Sequence, residues 1–237
     1  FLIIYNHFML ERLIEIDKSV LLFFNGGHSA YLDKVMWIYS GKLIWLPLVL
    51  VILWAIFYKK KFAEAFLVLV MVVLVATLCD QISSSLIKPF FARFRPAQDP
   101  DFSSLVQIVN GYRGGRYGFV SSHAANSFGV VTFLILLYRN KWLSFTCLLW
   151  AVFNCYSRMF LGVHFPGDIL FGSLLGIIIG VGVWFLYKYM RGYMFKKEGE
   201  AAVTIPYIKD KNAKYISIAV WTTFVFILIF APLIGFW

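Results

Sequence analysis

Six long apolar runs constrain the fold of this chain more than any other feature of its sequence. They occupy approximately residues 33–58, 62–87, 122–138, 142–160, 168–190 and 214–236. About 20 mostly apolar residues are enough for a helix to cross the hydrocarbon core of a bilayer. Only 14% of the 237 residues are charged, whereas charged residues make up about a quarter of a soluble domain. The sequence therefore predicts an all-α polytopic membrane bundle with about six transmembrane helices.

The N-terminal region differs from these runs in its pattern. Residues 1–8 precede Met9, and we interpret them either as a leader that is not native to the protein or as upstream sequence. From Met9 to Phe24 apolar residues alternate with charged ones at helical spacing, which indicates a helix lying in the membrane interface. Residues 9–237 are predicted to form one membrane domain, whose polar motifs lie between positions 80 and 176.

The distribution of positive charge predicts the orientation of the bundle. The formal net charge is +10, but Lys and Arg residues are divided among short loops beside apolar runs, so we exclude nucleic acid as a partner. Loops after the first, third and fifth runs hold 12 of the 22 Lys and Arg residues. By the positive-inside rule these loops are cytoplasmic. The opposite ends of the runs, which carry the polar motifs, are then predicted to face the extracytoplasmic side.

Three polar clusters interrupt the apolar background. In chain order they are Lys88-Pro-Phe-Phe-Ala-Arg93-Phe-Arg95-Pro96, Val120-Ser121-Ser122-His123, and Ser157-Arg158-Met-Phe-Leu-Gly-Val-His164-Phe-Pro-Gly-Asp168. Ionisable residues at the rim of a spanning segment are costly unless they are paired or hydrated, so such clusters indicate a functional site. Ion pairs that only hold helix ends together are the structural alternative.

The sequence does not predict a disulfide, a metal or another cofactor. Cys79, Cys147 and Cys155 lie inside apolar runs without CxxC spacing, which is typical of buried thiols. The sequence contains no HExxH motif, paired-carboxylate set or Cys-rich ligand set. The residues around the motifs are mainly cationic, which favours a reaction that is independent of metal ions.

The order and spacing of the three clusters resemble a known family. Read together they are Lys-x6-Arg-Pro, x-Ser-x-His and Ser-Arg-x5-His-x3-Asp, and this series resembles the type 2 phosphatidic acid phosphatase (PAP2) superfamily over roughly residues 80–176. The superfamily includes bacterial membrane lipid phosphatases, acid phosphatases and vanadium haloperoxidases. One departure is that Val120 and Ser122 replace the usual Pro and Gly of the middle motif.

The resemblance implies a role for each motif residue. His164 would be the nucleophile that forms a phosphohistidine, with Asp168 fixing its tautomer, and His123 would be the general acid and then the general base. Phosphoryl transfer also requires positive charge around the phosphate oxygens. The residues predicted to bind the phosphate are Lys88, Arg95 and Arg158 through their side chains, and Ser121 and Ser122 through backbone N–H groups at a helix N-terminus.

Three further residues are candidates for a supporting position behind the phosphate-binding groups. Asp80 lies two helical turns before Lys88, so it is a candidate partner for a cation of the site, with helix packing as the alternative. Arg93 lies outside the strict motif and is predicted to contact phosphate or an anionic lipid. Ser157 is included because it directly precedes Arg158.

The sequence thus predicts a lipid phosphatase of the bacterial inner membrane, acting on a terminal phosphate at the periplasmic face. The resemblance implies four candidate substrates: undecaprenyl diphosphate, lipid A phosphate, phosphatidylglycerol phosphate and phosphatidic acid. The predicted partners are this lipid substrate and the bilayer, and the oligomeric state is left open. A non-enzymatic lipid transporter or scramblase with a basic mouth is an alternative. A vanadium haloperoxidase-like enzyme is a further alternative that fits a lipid-facing bundle poorly.

Overall fold

The computed structural model describes residues 2–196 and 205–235, with side chains from residue 9 onward. Phe1 and the side chains of the predicted leader, residues 1–8, lie outside the described residues. The helices of the described part are α1 (Leu2–Asn25), α2 (Ala30–Ser40), α3 (Leu46–Phe57), α4 (Phe62–Gln81), α5 (Lys88–Phe91), α6 (Ser122–Tyr138), α7 (Lys141–Phe160), α8 (Pro166–Met194) and α9 (Ala213–Phe230). A π-helical turn, Ile82–Ile87, joins α4 to α5, and the described residues contain no β-strand beyond one isolated bridge, Phe94 to Tyr117.

The prediction of an all-α membrane bundle is confirmed, and its count of six spans is approximate. Within the described residues three helices are long and apolar enough to cross a bilayer, namely α4 continued through α5, α8 and α9. Helices α2 and α3 are bent by 65° relative to each other, and the described residues contain a fourth span if this bent pair is counted as one. Helix α6 is apolar but has only 17 residues, and α7 carries a charged residue near each end.

The first apolar run was predicted as one helix, and the structure shows a break within it. Helix α2 ends at Gly41, whose backbone is extended and whose N–H donates to the carbonyl of Ile38. A 3₁₀ turn, Leu43–Trp45, then begins the second half, and Trp45 Nε1 donates to the Tyr39 carbonyl at 2.8 Å. The break is stable because side-chain donors replace the helical hydrogen bonds that it removes.

Helices α6 and α8 form the most extensive helix pair, and their first turns carry Ser122, His123 and Asp168. Their backbones approach closely because α8 presents glycine every fourth residue toward α6. A Cβ atom at Gly172 would lie 2.6 Å from the Ser121 carbonyl oxygen, and one at Gly180 would lie 2.6 Å from the Gly129 carbonyl oxygen. Small residues at this spacing allow membrane helices to pack backbone to backbone. The start of α6 is therefore held directly against the start of α8.

A buried ionic cluster joins α4 and α8 at the end of the bundle opposite their motif residues. Arg191 Nε donates to both carboxylate oxygens of Glu64, at 3.0 and 2.9 Å, and the Tyr187 hydroxyl donates to the same carboxylate at 2.5 Å. All three residues are buried. Because each charged group is paired and hydrogen bonded, this cluster can hold the two helices in register within a low-dielectric environment.

Candidate active site

His164 lies in the short segment between α7 and α8 and is fully buried. Its Nε2 atom is 3.1 Å from Arg95 Nη1. A guanidinium group only donates hydrogen bonds, so Nε2 must be the accepting, unprotonated nitrogen of the ring. The proton of the neutral imidazole then resides on Nδ1, which lies 3.4 Å from Asp168 Oδ2. This arrangement presents a lone pair on Nε2, as a nucleophile requires.

Burial keeps this imidazole neutral. The pKa of His164 is lowered well below its ordinary value, first by desolvation and then by the positive charges of Arg95 and Arg158, with smaller contributions from His123 and Lys88. All four residues are therefore close enough to act electrostatically on His164. The structure brings the cationic and imidazole side chains of all three sequence motifs to one centre.

Asp168 occupies the first turn of α8 and accepts hydrogen bonds on both carboxylate oxygens. Arg93 Nη1 donates to Oδ1 at 3.0 Å, while the backbone N–H of Phe165 donates to Oδ2 at 3.0 Å. The carboxylate is fully buried. Gly118 lies against it, since a Cβ atom there would be 2.8 Å from Oδ2. The position of Asp168 is thus fixed from both sides, and it can orient the Nδ1–H group of His164.

Arg95 is held by the segment that follows it and by the loop before α8. Its Nε donates to the Tyr117 carbonyl at 3.1 Å, and its Nη1 also donates to the Val163 carbonyl at 3.2 Å. Burial and the nearby Arg158 lower the pKa of Arg95 from its ordinary value, but a guanidinium remains charged in proteins. The planar group is therefore a fixed positive charge beside His164.

Arg158, near the end of α7, is almost completely buried and only partly satisfied. It donates to the hydroxyl of Ser40 and, through Nη2, to the hydroxyl of Tyr112 at 3.3 Å. Its Nε has no hydrogen-bond partner among the described residues. Buried donors are normally paired, because an unpaired donor costs about 1–3 kcal/mol. An anionic ligand at the site would provide the missing acceptor.

Lys88 is directed by a group of three serine hydroxyls. Its Nζ donates to Ser122 Oγ at 2.5 Å, and Ser83 Oγ and Ser84 Oγ lie 2.8 and 2.9 Å from the same oxygen. Ser83 and Ser84 belong to the π-helical turn between α4 and α5. A π-turn of this kind shifts the residues that follow it around the helix axis and is frequent at functional sites. The hydroxyl of Ser122, absent from the usual glycine, thus acquires a role in holding Lys88.

The start of α6 differs from the prediction in one detail. The N–H of Ser121 donates to the Asp168 carbonyl at 2.9 Å, so it ties α6 to α8 rather than contributing to an anion cradle. The N–H groups of Ser122 and His123, in the first turn of α6, make no hydrogen bond within the described residues. These two groups, at the positive end of the helix, are the ones suited to an anion.

His123 lines a cavity of about 710 Å³ whose wall also includes the buried residue Arg158. Arg158, Tyr112, Ser40 and Lys42 supply its polar surface, and the rest is mainly apolar. The break between α2 and α3 contributes Ser40 and Lys42 to this wall. The cavity has the size of a typical small-ligand site and reaches the general-acid candidate directly.

The three supporting candidates occupy different environments. Arg93 lies behind the site, since it contacts Asp168 and Asp17 instead of the space between the histidines. Asp80 is exposed and forms no direct ion pair with any described residue, but its charge acts electrostatically on Lys88, so its supporting role stays a prediction. The Ser157 hydroxyl donates to the Asn154 carbonyl at 2.7 Å within α7, away from the site.

Several residues of the site were not predicted from the sequence. They are Asp17, Ser40, Lys42, Ser83, Ser84 and Tyr112. The consecutive polar residues Ser83 and Ser84 lie about one turn before Lys88, at the end of an apolar run, and are a signal that could have identified two of them. The others come from distant parts of the chain and have no distinguishing local pattern.

In the part of the chain that the structure describes, no group of three or more His, Cys, Asp or Glu side chains is arranged to hold a metal ion. The donors that converge on His164 are cationic nitrogens, which repel a divalent cation and attract an anion. The chemistry of this donor set suits a phosphate group. Metal independence itself stays a prediction.

Comparisons with known proteins agree with this geometry. The model of the PAP2 superfamily matches residues 65–192. A lipid A 4'-phosphatase of Bacteroides thetaiotaomicron is 43% identical over 180 residues, which are 76% of this chain and 79% of that protein. A lipid A 4'-phosphatase of Porphyromonas gingivalis is 37% identical over 226 residues, which are 94% of this chain and 92% of that protein.

The fold is also similar to a solved structure. The crystal structure of a transmembrane PAP2-type phosphatidylglycerolphosphate phosphatase from Bacillus subtilis superimposes with a TM-score of 0.57. The superposition covers 77% of this chain and 88% of that one, at 22% sequence identity. At this identity the similarity concerns the fold alone.

Proposed function

We propose, on the premise that this chain belongs to the PAP2 superfamily and is an integral membrane lipid phosphatase, that its substrate is a lipid A phosphate and that His164 is the nucleophile. The observation that carries the proposed chemistry is the Nε2 lone pair of His164, fixed by a donor on one side of the ring and a carboxylate on the other. The substrate is supported by the two relatives that are named lipid A 4'-phosphatases.

In the first step the phosphate monoester binds among the cationic side chains of Lys88, Arg95 and Arg158. His164 Nε2 attacks phosphorus, a P–N bond forms, and the bond from phosphorus to the leaving alcohol oxygen breaks. His123 donates a proton to that oxygen, so the alcohol leaves neutral. Asp168 stabilises the positive charge that develops on the imidazole as the P–N bond forms.

In the second step water releases phosphate from the enzyme. His123, now neutral, accepts a proton from a water molecule as its oxygen attacks phosphorus. The P–N bond breaks and its electrons return to His164 Nε2, which restores the neutral imidazole. The guanidinium and ammonium groups balance the charge on the equatorial phosphate oxygens in both steps.

The leaving alcohol belongs in the cavity beside His123. An in-line displacement places the nucleophile and the leaving group on opposite sides of phosphorus. Because His164 is buried and His123 faces the cavity, the alcohol of the substrate is on the cavity side. A volume of about 710 Å³ accommodates a sugar headgroup, while the attached acyl chains remain in the surrounding lipid.

We further infer that the site opens to the extracytoplasmic side of the membrane. Lys60 and Asp210 form an ion pair of 2.5 Å at the other end of the bundle, among the basic loops that the positive-inside rule assigns to the cytoplasm. Lys88 and His164 lie at the opposite ends of their helices. This orientation suits a lipid phosphate presented by the outer leaflet of an inner membrane.

Phosphate release from a panel of purified lipids in detergent tests the proposal. The panel contains lipid A bearing a 4'-phosphate, undecaprenyl diphosphate, phosphatidylglycerol phosphate and phosphatidic acid. We expect lipid A phosphate to give the highest kcat/KM and His164→Ala to abolish turnover of every substrate. A higher kcat/KM for another lipid would reject the proposed substrate, and turnover by His164→Ala would reject the proposed nucleophile.

A further inference from the structure

The N-terminal helix α1 contributes a carboxylate to the back of the candidate site. Asp17 Oδ2 accepts a hydrogen bond from Arg93 Nη2 at 2.6 Å, and Asp17 Oδ1 accepts one from the backbone N–H of Gly167 at 2.7 Å. Gly167 lies in the first turn of α8, directly before Asp168. The single carboxylate thus binds a side chain and the positive end of the helix that carries Asp168.

Arg93 connects this carboxylate to the one beside the nucleophile. Its Nη2 binds Asp17, and its Nη1 donates to Asp168 Oδ1 at 3.0 Å. The guanidinium also lies over the Phe165 ring, with Cζ 4.3 Å from the ring centroid. A planar, rigid donor group held at both ends and on one face has little freedom to rotate. The contacts form a continuous series from Asp17 through Arg93 and Asp168 to His164.

We propose that Asp17 is a positioning residue for the nucleophile, acting through Arg93 and Asp168. This inference rests on the proposed role of His164. Without Asp17, Arg93 keeps one partner and can rotate about the contact that remains, so Oδ1 of Asp168 is held less firmly while the Phe165 N–H still binds Oδ2. The imidazole would then sample poorer attack geometries while the phosphate-binding cations stay in place, because Asp17 contacts none of them.

Asp17 is not the only contact that holds α1 in place. At the end of this helix Asn25 Nδ2 donates to the carbonyls of Gln107 and Phe160, at 2.8 and 2.7 Å. Asn25 Oδ1 also accepts the Gln107 N–H at 2.8 Å. These buried contacts are independent of Asp17, so a substitution at position 17 should leave α1 docked. This separation makes a positioning role distinguishable from a purely structural one.

The inference has a consequence for the membrane. Helix α1 exposes a series of apolar side chains, Leu10, Leu13, Ile14 and Ile16, which suits a helix lying in the lipid interface. The same helix carries Asp17. The geometry of the nucleophile therefore depends on α1, whose position is determined partly by its contact with lipid.

Asp17→Asn tests the inference at constant side-chain size. The amide oxygen can still accept the Gly167 N–H, whereas the NH₂ group cannot accept from Arg93. We expect kcat to fall about tenfold, the size of effect typical of residues that orient a ligating or reacting group. KM, the affinity for inorganic phosphate and the melting temperature should stay unchanged. Glu15→Gln, an exposed charge on the same helix, is the matched control and should leave kcat unchanged.

A double substitution separates positioning from other causes. In an Arg93→Met background Asp17→Asn should cause no further loss of kcat, because the intermediate link is already absent. Additive losses would overturn the inference, as would a fall in melting temperature or phosphate affinity that accounts for the lost activity. An unchanged kcat in Asp17→Asn, with His164→Ala inactive, would reject the role of Asp17 alone. An active His164→Ala would reject the proposed mechanism itself.

Discussion

Replacing Asp168 with Asn removes one charge from the candidate site without changing the size of the side chain. Every hydrogen-bond partner of the native carboxylate is a donor: Arg93 at Oδ1, and the Phe165 N–H and His164 Nδ1 at Oδ2. An amide has one accepting oxygen and an NH₂ group that only donates. Either orientation of the amide therefore places its NH₂ group against a donor.

The structure indicates which orientation the amide takes. If its oxygen faces the Phe165 N–H and His164 Nδ1, only the contact to Arg93 is lost, and Arg93 keeps Asp17 at 2.6 Å. The His164 tautomer is then preserved, but the imidazole loses a negative charge that stabilises it during attack. A hydrogen bond to a charged group contributes about 1.5–3 kcal/mol, so we expect phosphohistidine formation to slow by about 10- to 150-fold. The loss is smaller than the roughly 10⁴-fold seen when a serine-protease histidine adopts the wrong tautomer.

Single-turnover rapid quenching with a radiolabelled lipid phosphate measures this rate directly. Inorganic phosphate affinity is measured in parallel, because Lys88, Arg95 and Arg158 are unaltered and should bind as before. Asp101→Asn removes an exposed carboxylate outside the candidate site and is the matched control. An unchanged rate in Asp168→Asn would refute the reasoning, and so would a loss of phosphate affinity equal to the loss of rate.

Four further outcomes are expected. Ser122→Ala removes the acceptor of the Lys88 ammonium, so KM should rise about tenfold with little change in kcat, measured by steady-state kinetics. Burial lowers the pKa of His164, so only the unfolded state binds a proton there as the pH falls below about 6.5, and the contribution of this residue to folding stability should drop between pH 7 and 5. Thermal unfolding in detergent measures this drop, which His164→Gln should reduce. Excess EDTA should leave phosphate release unchanged, and a loss restored by magnesium would contradict metal independence. In a cysteine-free background, a membrane-impermeant thiol reagent applied to spheroplasts should label a cysteine at Ser104 but not one at Lys196, and the reverse pattern would place the site on the cytoplasmic side.

The apolar runs were sufficient to predict the class of fold, because a bilayer accepts few alternatives to long helices. They did not predict the break at Gly41, since Ser40, Gly41 and Lys42 interrupt the run only briefly before apolar residues resume at Leu43. The break depends on tertiary contacts, such as the indole of Trp45 donating to the Tyr39 carbonyl. Hydropathy indicates whether a segment lies in lipid or in water. It does not indicate where a side chain replaces a backbone hydrogen bond of the helix.

The motif residues could be identified from the sequence because each motif is a short segment with fixed spacing, located at or beside the end of a helix. Their supporting partners could not. Ser40 belongs to no recognisable motif, and it accepts a hydrogen bond from Arg158, which lies 118 positions later in the sequence. Asp17 likewise accepts one from Arg93, which lies 76 positions later. Such contacts are determined by how α1 and α2 dock onto the bundle. Charge alone does not distinguish Asp17, because Glu11 and Glu15 lie on the same helix.

The contact between Arg95 and His164 links phosphate binding to the availability of the nucleophile. Arg95 Nη1 is directed at the Nε2 lone pair at 3.1 Å, and a lone pair that accepts a hydrogen bond is less able to attack phosphorus. A phosphate oxygen is a stronger acceptor for a guanidinium than a neutral imidazole, because the bond is then charge-assisted on both sides. When a phosphate binds, it therefore accepts the hydrogen bond from Arg95 Nη1 in place of His164. The Nε2 lone pair is then free to attack. In the proposed mechanism His164 therefore becomes reactive only when an anion with oxygens to bind Arg95 lies in front of it.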